Sequence, residues 1–279
     1  MSYDAKYERI KVFENTLSII ERTPKVKNSQ EKSIEKTLVY HEGGKFEEHE
    51  KTFPKTNIIV TRNRTMEAGR KWAKVGNTAV LNFASATNPG GGVTRGSIAQ
   101  EECLCRVSTL FNCLNTPLNW NLFYNPNREM KDPLHDDKVI YTPKVCVIKD
   151  DDYKTLDEKD FFFVDVITCA APNLREKPQN YCNTGESDVA VSITPEKLYD
   201  IHAQRARRIL DIAAVHGIKN LVLGAFGCGA FKNDPNVVAR AYADVLKDYD
   251  GVFENIEFAV YCGSDTSNYD IFKETLCKQ

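Results

Sequence analysis

Three consecutive glycines, Gly90, Gly91 and Gly92, are followed after seven residues by Gln100 and two adjacent glutamates, Glu101 and Glu102. A carboxyl group can protonate a departing oxygen and then activate a water, which is the chemistry of glycoside hydrolysis. Glycines let the backbone approach a ligand closely and leave amide groups to face an anion. Together they point to acid chemistry on a phosphate-bearing substrate. Taken alone, acids in the first turn of a helix are ordinary, because the helix dipole favours them. A second glycine stretch, LVLGAFGCGAFKNDP over residues 221–235, changes that balance. It sets Gly227-Cys228-Gly229-Ala230-Phe231 between a buried-type strand and a helix, where backbone amides converge on an anion. Asn233 and Asp234 are placed to cap that helix, with Pro235 in its first turn.

Gly-Gly-Gly, seven residues, Gln100-Glu101-Glu102 resembles the catalytic motif of poly(ADP-ribose) glycohydrolases, and the flanking residues resemble the bacterial-type branch. Residues 227–231 resemble that family's diphosphate loop, and VDVITCAAPN over residues 164–173 its central strand. The likeness runs from Thr56 to the C-terminus. It implies a macrodomain-like three-layer α/β/α sandwich with a mixed central sheet and an N-terminal extension. The implied boundaries are residues 1–55 for a helical and hairpin extension and 56–279 for the catalytic domain.

By position in the motif, Glu102 is the implied acid/base and Glu101 the glutamate that holds ribose hydroxyls. Gln100 is expected to orient the turn or the substrate. Backbone contacts to the diphosphate side are expected from Gly90, Gly91, Gly92 and Val93, with Gly227, Cys228, Gly229 and Ala230 closing from the other side. Phe231 would pack against the distal ribose. Ser85 stands where one alignment would want a ribose-binding Asn, and Asn88 is the next candidate. The helix N-terminus should lower the pKa of Glu102, while burial and a bound diphosphate should raise it. Asp165, inside a hydrophobic strand, needs a partner, either structural or at the adenine end.

The implied activity is hydrolysis of ribose–ribose bonds from the polymer terminus, releasing ADP-ribose without metal or diffusible cofactor. The alternatives are removal of single ADP-ribose units from protein or nucleic acid, and a non-catalytic ADP-ribose reader. A reader needs the cradle but not the acids. The expected partner is poly(ADP-ribose) or an ADP-ribosylated macromolecule, the product is ADP-ribose, and a monomer without membrane contact is expected.

Composition fits this reading. A hydrophobic content of 42% and a charged content of 27% suit a globular chain, and a net charge of −2 gives no general pull toward nucleic acid. An anion must therefore be held locally. Nine cysteines lack paired zinc spacing, and residues 1–25 are charged throughout, so an intracellular protein with reduced thiols is expected. Serine-hydrolase and P-loop motifs are absent, and the five histidines have no metal spacing. His135-Asp136-Asp137 and Asp150-Asp151-Asp152 read as solvated loop acids.

Alternating strands and helices must position these groups. Ile10, Phe13, Leu17 and Ile20 predict a helix over 4–22, stopped by Pro24, with a loop over 25–36. Residues 37–40 and the stretch after Gly43-Gly44 suggest a hairpin. Strands are expected at 57–60, 78–84, 144–148, 161–170, 220–225 and 256–261. Helices are expected at 65–74, 98–114, 195–216, 235–249 and 269–277, and long loops at 115–138 and 181–194. Both glycine loops then follow strand C-termini, where open α/β sheets bind ligands.

Overall fold

The computed structural model describes residues 3–277 apart from 45, 47 and 182. The strands are β1 (Leu38–Tyr40), β2 (Asn57–Thr61), β3 (Thr78–Phe83), β4 (Val139–Val147), β5 (Phe162–Cys169), β6 (Asn220–Leu223) and β7 (Asn255–Ala259). They form one mixed sheet in the order β1-β4-β5-β3-β6-β7-β2. The five strands from β5 to β2 run parallel, while β4 is antiparallel to both β5 and β1. The helices are α1 (Tyr3–Arg22), α2 (Pro24–Glu35), α3 (Thr65–Trp72), α4 (Gln100–Val107), α5 (Leu110–Leu114), α6 (Pro117–Asn119), α7 (Asn125–Met130), α8 (Pro195–Val215), α9 (Pro235–Leu246) and α10 (Ser267–Leu276).

Successive strand side chains point to opposite faces, so each central strand feeds two cores. Ala79, Leu81, Ile167, Leu221 and Ile256 pack with α8, α9 and α10, while Val80, Val164, Val166 and Val222 pack with α1, α3, α4 and α5. Burial on both faces is why these strands read as continuous apolar runs. The result is the three-layer α/β/α sandwich. No helix among the described residues is long and apolar enough to cross a membrane.

Several elements differ from the sequence reading. Residues 24–35 form α2 rather than a loop. Pro24 sits in the first turn, where its missing N–H costs nothing. The buried face of α2 is Val26, Gln30 and Ser33, mostly polar, so no apolar period betrays it. Ser33 donates to the Lys144 carbonyl, and Gln30 accepts from Asn112. β1 pairs with β4 and not with the stretch after Gly44, part of which lies outside the described residues.

The helix expected over 98–114 is broken at Ser108, whose extended backbone bridges to Val147. Residues 117–130 hold short helical turns. β4 starts earlier than expected, with Pro143 and Lys144 in a bulge that shifts its register. That bulge and the strand before it supply Asp165 with its partners. Tyr141 donates to it, as does the Lys144 amide at 2.9 Å, so this carboxylate is structural.

The N-terminal residues brace the glycine–glutamate region. Arg9 donates to the Gly96 carbonyl at 2.6 Å, Lys149 to the Val12 carbonyl at 2.9 Å, and the buried Thr16 hydroxyl bonds the Arg106 carbonyl on α4. Thr16→Val should leave the Arg106 carbonyl unpaired in a dry interface and lower stability by about 1–3 kcal/mol. Denaturant melts would read this as a shifted midpoint at constant m-value.

Candidate active site

Four parallel strands end at one cavity of about 890 Å³. β3 leads into the glycine triplet, β5 into Ala171, β6 into residues 224–231 and β7 into Tyr261. The cavity lining includes Glu101, Glu102, Gly91, Gly227, Gly229 and Phe231. The two motifs, 125 or more residues apart in sequence, are thus brought to one place.

Both carboxylates are buried, Glu101 at 2% and Glu102 at 6% exposure. Glu101 accepts from the Ser85 amide at 2.8 Å and from Asn82 Nδ2 at 3.2 Å, and the Gly90 amide also supports it. The register that sets Asn82 opposite Thr168 also holds its Nδ2 at 3.3 Å from the Thr168 hydroxyl. Glu102 Oε1 accepts from the Gly92 amide at 2.8 Å, whereas its Oε2 is buried without a hydrogen-bond partner among the described residues. Burial is the largest influence on both. It pushes Glu101 up to about 8, aided by the neighbouring Glu102 charge, and raises Glu102 against the Gly92 amide and the Arg106 charge. The competition between helix terminus and burial is thus won by burial.

The upstream glycines do a different job from the one expected. The Gly91 amide donates to the Asn88 carbonyl, the Gly92 amide to Glu102 and the Val93 amide to the Gly90 carbonyl. These groups are therefore not a free cradle for phosphate. Gly91 is required for another reason. Its φ is +56°, and a Cβ there would lie 2.6 Å from Glu102 Oε1 and 3.1 Å from Glu101 Oε2. Of the triplet, Gly91 lines the cavity, while Gly90, Gly92 and Val93 lie behind it.

Asn88 also lies outside the lining. Its amide is used by Arg128, Thr184 and Thr87, so it fastens loops to one another. Ser85 lines the cavity and donates to Asn183 at 2.7 Å. Gln100 latches α4 to β3, accepting from the Phe83 amide and donating to the Leu81 carbonyl and Thr65. It orients the turn.

The downstream loop is the open one. Among the described residues, the amides of Gly227, Gly229, Ala230 and Phe231 make no internal hydrogen bond. Gly227 has φ +80°, and a Cβ there would strike Ala171 and Asn233 at 2.7 and 2.9 Å. Asn233 ties the loop down by donating to the Pro172 carbonyl at 2.7 Å and accepting from His202. Cys228 is not on the lining, and burial raises its thiol well above the ordinary range, which argues against a nucleophile.

His135 is buried rather than solvated. Its Nδ1 meets the Ala171 carbonyl at 2.9 Å, and its Nε2 meets both Glu186 oxygens at 3.1 Å. It thereby joins the β5 end to the loop that carries Asn180 and Asn183 to the cavity. Arg64, Tyr153, Arg175 and Tyr261 also line the cavity and carried no motif. Arg64 and Tyr261 follow the ends of β2 and β7, and strand-end position alone was their signal. Among the described residues, no group of three His, Cys, Asp or Glu could hold a metal.

Two outcomes are expected. Gly91→Ala should abolish activity while leaving the far-ultraviolet spectrum intact, because the new methyl displaces both carboxylates. The raised Glu101 carboxyl stabilises the fold at low pH, and this contribution is lost as pH rises from about 4.5 toward about 8. Glu101→Gln should therefore flatten the decline of Tm across that window and raise Tm by several degrees at pH 8.

Residues 10–150, half of the chain, match the family described as microbial-type PARG, catalytic domain. The crystal structure of poly(ADP-ribose) glycohydrolase from Thermomonospora curvata, bound to the inhibitor ADP-HPD, is 30% identical with a TM-score of 0.80, covering 96% of this chain and 99% of that one. The poly(ADP-ribose) glycohydrolase (PARG) of Deinococcus radiodurans in complex with ADP-ribose is 32% identical with a TM-score of 0.74, covering 89% and 97%. A search of curated proteins gives no match. The family match includes the paired glutamates, the structural likeness extends to the downstream loop, and the chain accordingly belongs to the microbial-type poly(ADP-ribose) glycohydrolases.

Proposed function

We propose that this chain hydrolyses the ribose–ribose O-glycosidic bonds of poly(ADP-ribose) from the polymer terminus and releases ADP-ribose. The observation that carries the reading is Glu102, a residue of the cavity lining: Oε1 is fixed by the Gly92 amide, and Oε2 is buried with no hydrogen-bond partner among the described residues. A raised carboxyl in that position holds a proton for a ligand oxygen to take. The cavity, the free amides of the downstream loop, and the ADP-ribose and ADP-HPD complexes of the two relatives support a ligand of this class.

In this reading the diphosphate rests on the amides of Gly229, Ala230 and Phe231. The Phe231 ring packs against the distal ribose, and Glu101 accepts hydrogen bonds from its hydroxyls. As the C1″–O bond breaks, the Oε2 proton of Glu102 passes to the departing oxygen, and the ribose carries oxocarbenium character. Water then adds to C1″ and returns a proton to Glu102. One water is consumed, and two hydroxyl ends result. The ionised Glu102 left after the first step is itself the anion facing the oxocarbenium centre. No diffusible cofactor enters these steps.

The test is release of free ADP-ribose from purified poly(ADP-ribose) with chelator present. The wild type should release ADP-ribose without intermediate oligomers. Glu102→Gln and Glu102→Ala should cut kcat by roughly 100-fold to 10,000-fold, the usual worth of a positioned acid and base. Because Glu102 acts protonated, the wild-type rate should fall on the alkaline side. Binding of ADP-ribose without release from the polymer would overturn the reading.

A further inference from the structure

Tyr181 is 73% exposed, more than any other large apolar or aromatic side chain among the described residues. Its position is fixed by its neighbours. Asn180 and Asn183 exchange backbone hydrogen bonds in both directions, which puts Tyr181 at the tip of a tight turn. Both asparagines line the cavity. Asn183 accepts from the Ser85 hydroxyl, and the Ser85 amide in turn holds Glu101.

One face of the Tyr181 ring is covered by Arg95, whose guanidinium carbon lies 4.5 Å from the ring centre. Arg95 comes from the short turn that follows the glycine triplet. Its amide bonds the Gly92 carbonyl, and the Gly92 amide holds Glu102. Arg95 makes no ion pair among the described residues. The pair thus links the two loops whose amides hold the carboxylates, the Ser85 amide for Glu101 and the Gly92 amide for Glu102. It offers an open aromatic face and an uncompensated cation at the reacting end of the cavity, yet lies outside the lining itself.

We propose that Arg95 and Tyr181 form a leaving-group subsite for the next nucleotide unit of the polymer, whose adenine stacks on the free face of Tyr181 and whose diphosphate meets Arg95. This rests on the proposed polymer hydrolysis. The chemistry fits the departing unit, which brings a purine and two phosphates. A purine on an aromatic ring is tolerant of approach angle, and an arginine behind the ring strengthens the stack. A reaction that releases only a small leaving group would need neither residue.

Binding separates this subsite from the ADP-ribose pocket. In the inactive Glu102→Ala background, calorimetry measures the affinity for ADP-ribose and for its dimer, (ADP-ribose)2. Adding Tyr181→Ala should weaken dimer binding by roughly tenfold, the loss of one base–aromatic stack, and leave ADP-ribose binding unchanged. Tyr181→Trp should retain dimer affinity. Arg95→Gln should weaken the dimer and reduce the salt dependence of its binding, and Arg95→Lys should restore that dependence. Equal weakening of both ligands, or of neither, would overturn the subsite. These affinities are independent of whether the active chain cleaves polymer, so failure of the hydrolysis reading is seen separately in the release assay.

Discussion

The molecule is organised around two carboxyl groups that have been taken out of water side by side. Burial makes the charged form of each costly, and no basic side chain forms an ion pair with either among the described residues. The protein answers with backbone amides from Ser85, Gly90 and Gly92 and with Asn82 from the end of β3. Those donors are enough to orient the groups but not enough to keep both ionised. A fully compensating arginine in the same place would have given a stable pair with no acid to offer.

The two glycine loops divide the work. The upstream triplet turns its amides inward, so its gift to the site is the missing Cβ at Gly91. The downstream loop leaves four amides without internal partners among the described residues and is held by Asn233. An anion therefore finds open donors in the downstream loop, while the protonatable carboxyls come from α4. This separation lets a doubly charged diphosphate sit in the same cavity as two acids. The bound anion would push both carboxyls further toward the protonated form.

Contacts within and beyond the motif set its tolerances. α1 and the buried Lys149 brace the segment between the triplet and α4, and the Gln100 latch fixes the first turn of α4 to β3. His135 ties the rim loop to the end of β5. The helix of α1 and a turn-orienting Gln100 are legible in the local sequence, but the partners of Arg9, Thr16 and His135 are not. Arg9, Thr16 and His135 act through partners that are 87, 90 and 51 residues away. α2 escapes a reading by apolar period because its inward face is polar, and the break at Ser108 does so because pairing with Val147 overrides local helix propensity.

The sequence by itself determined the strand–helix alternation, the continuous apolar strands that must be buried on both faces, and the glutamate pair after three glycines. These are written in local periodicity and spacing, which depend on neighbours along the chain. Only the tertiary structure decided which amides stay open, that Asn88 fastens loops together and lies off the cavity wall, and that Glu102 keeps one oxygen unpartnered. A hydrogen bond from a backbone amide can be satisfied from any direction in space. Whether a loop faces a ligand or its own carboxylates is therefore settled by packing, and the type of residue in the loop does not reveal it.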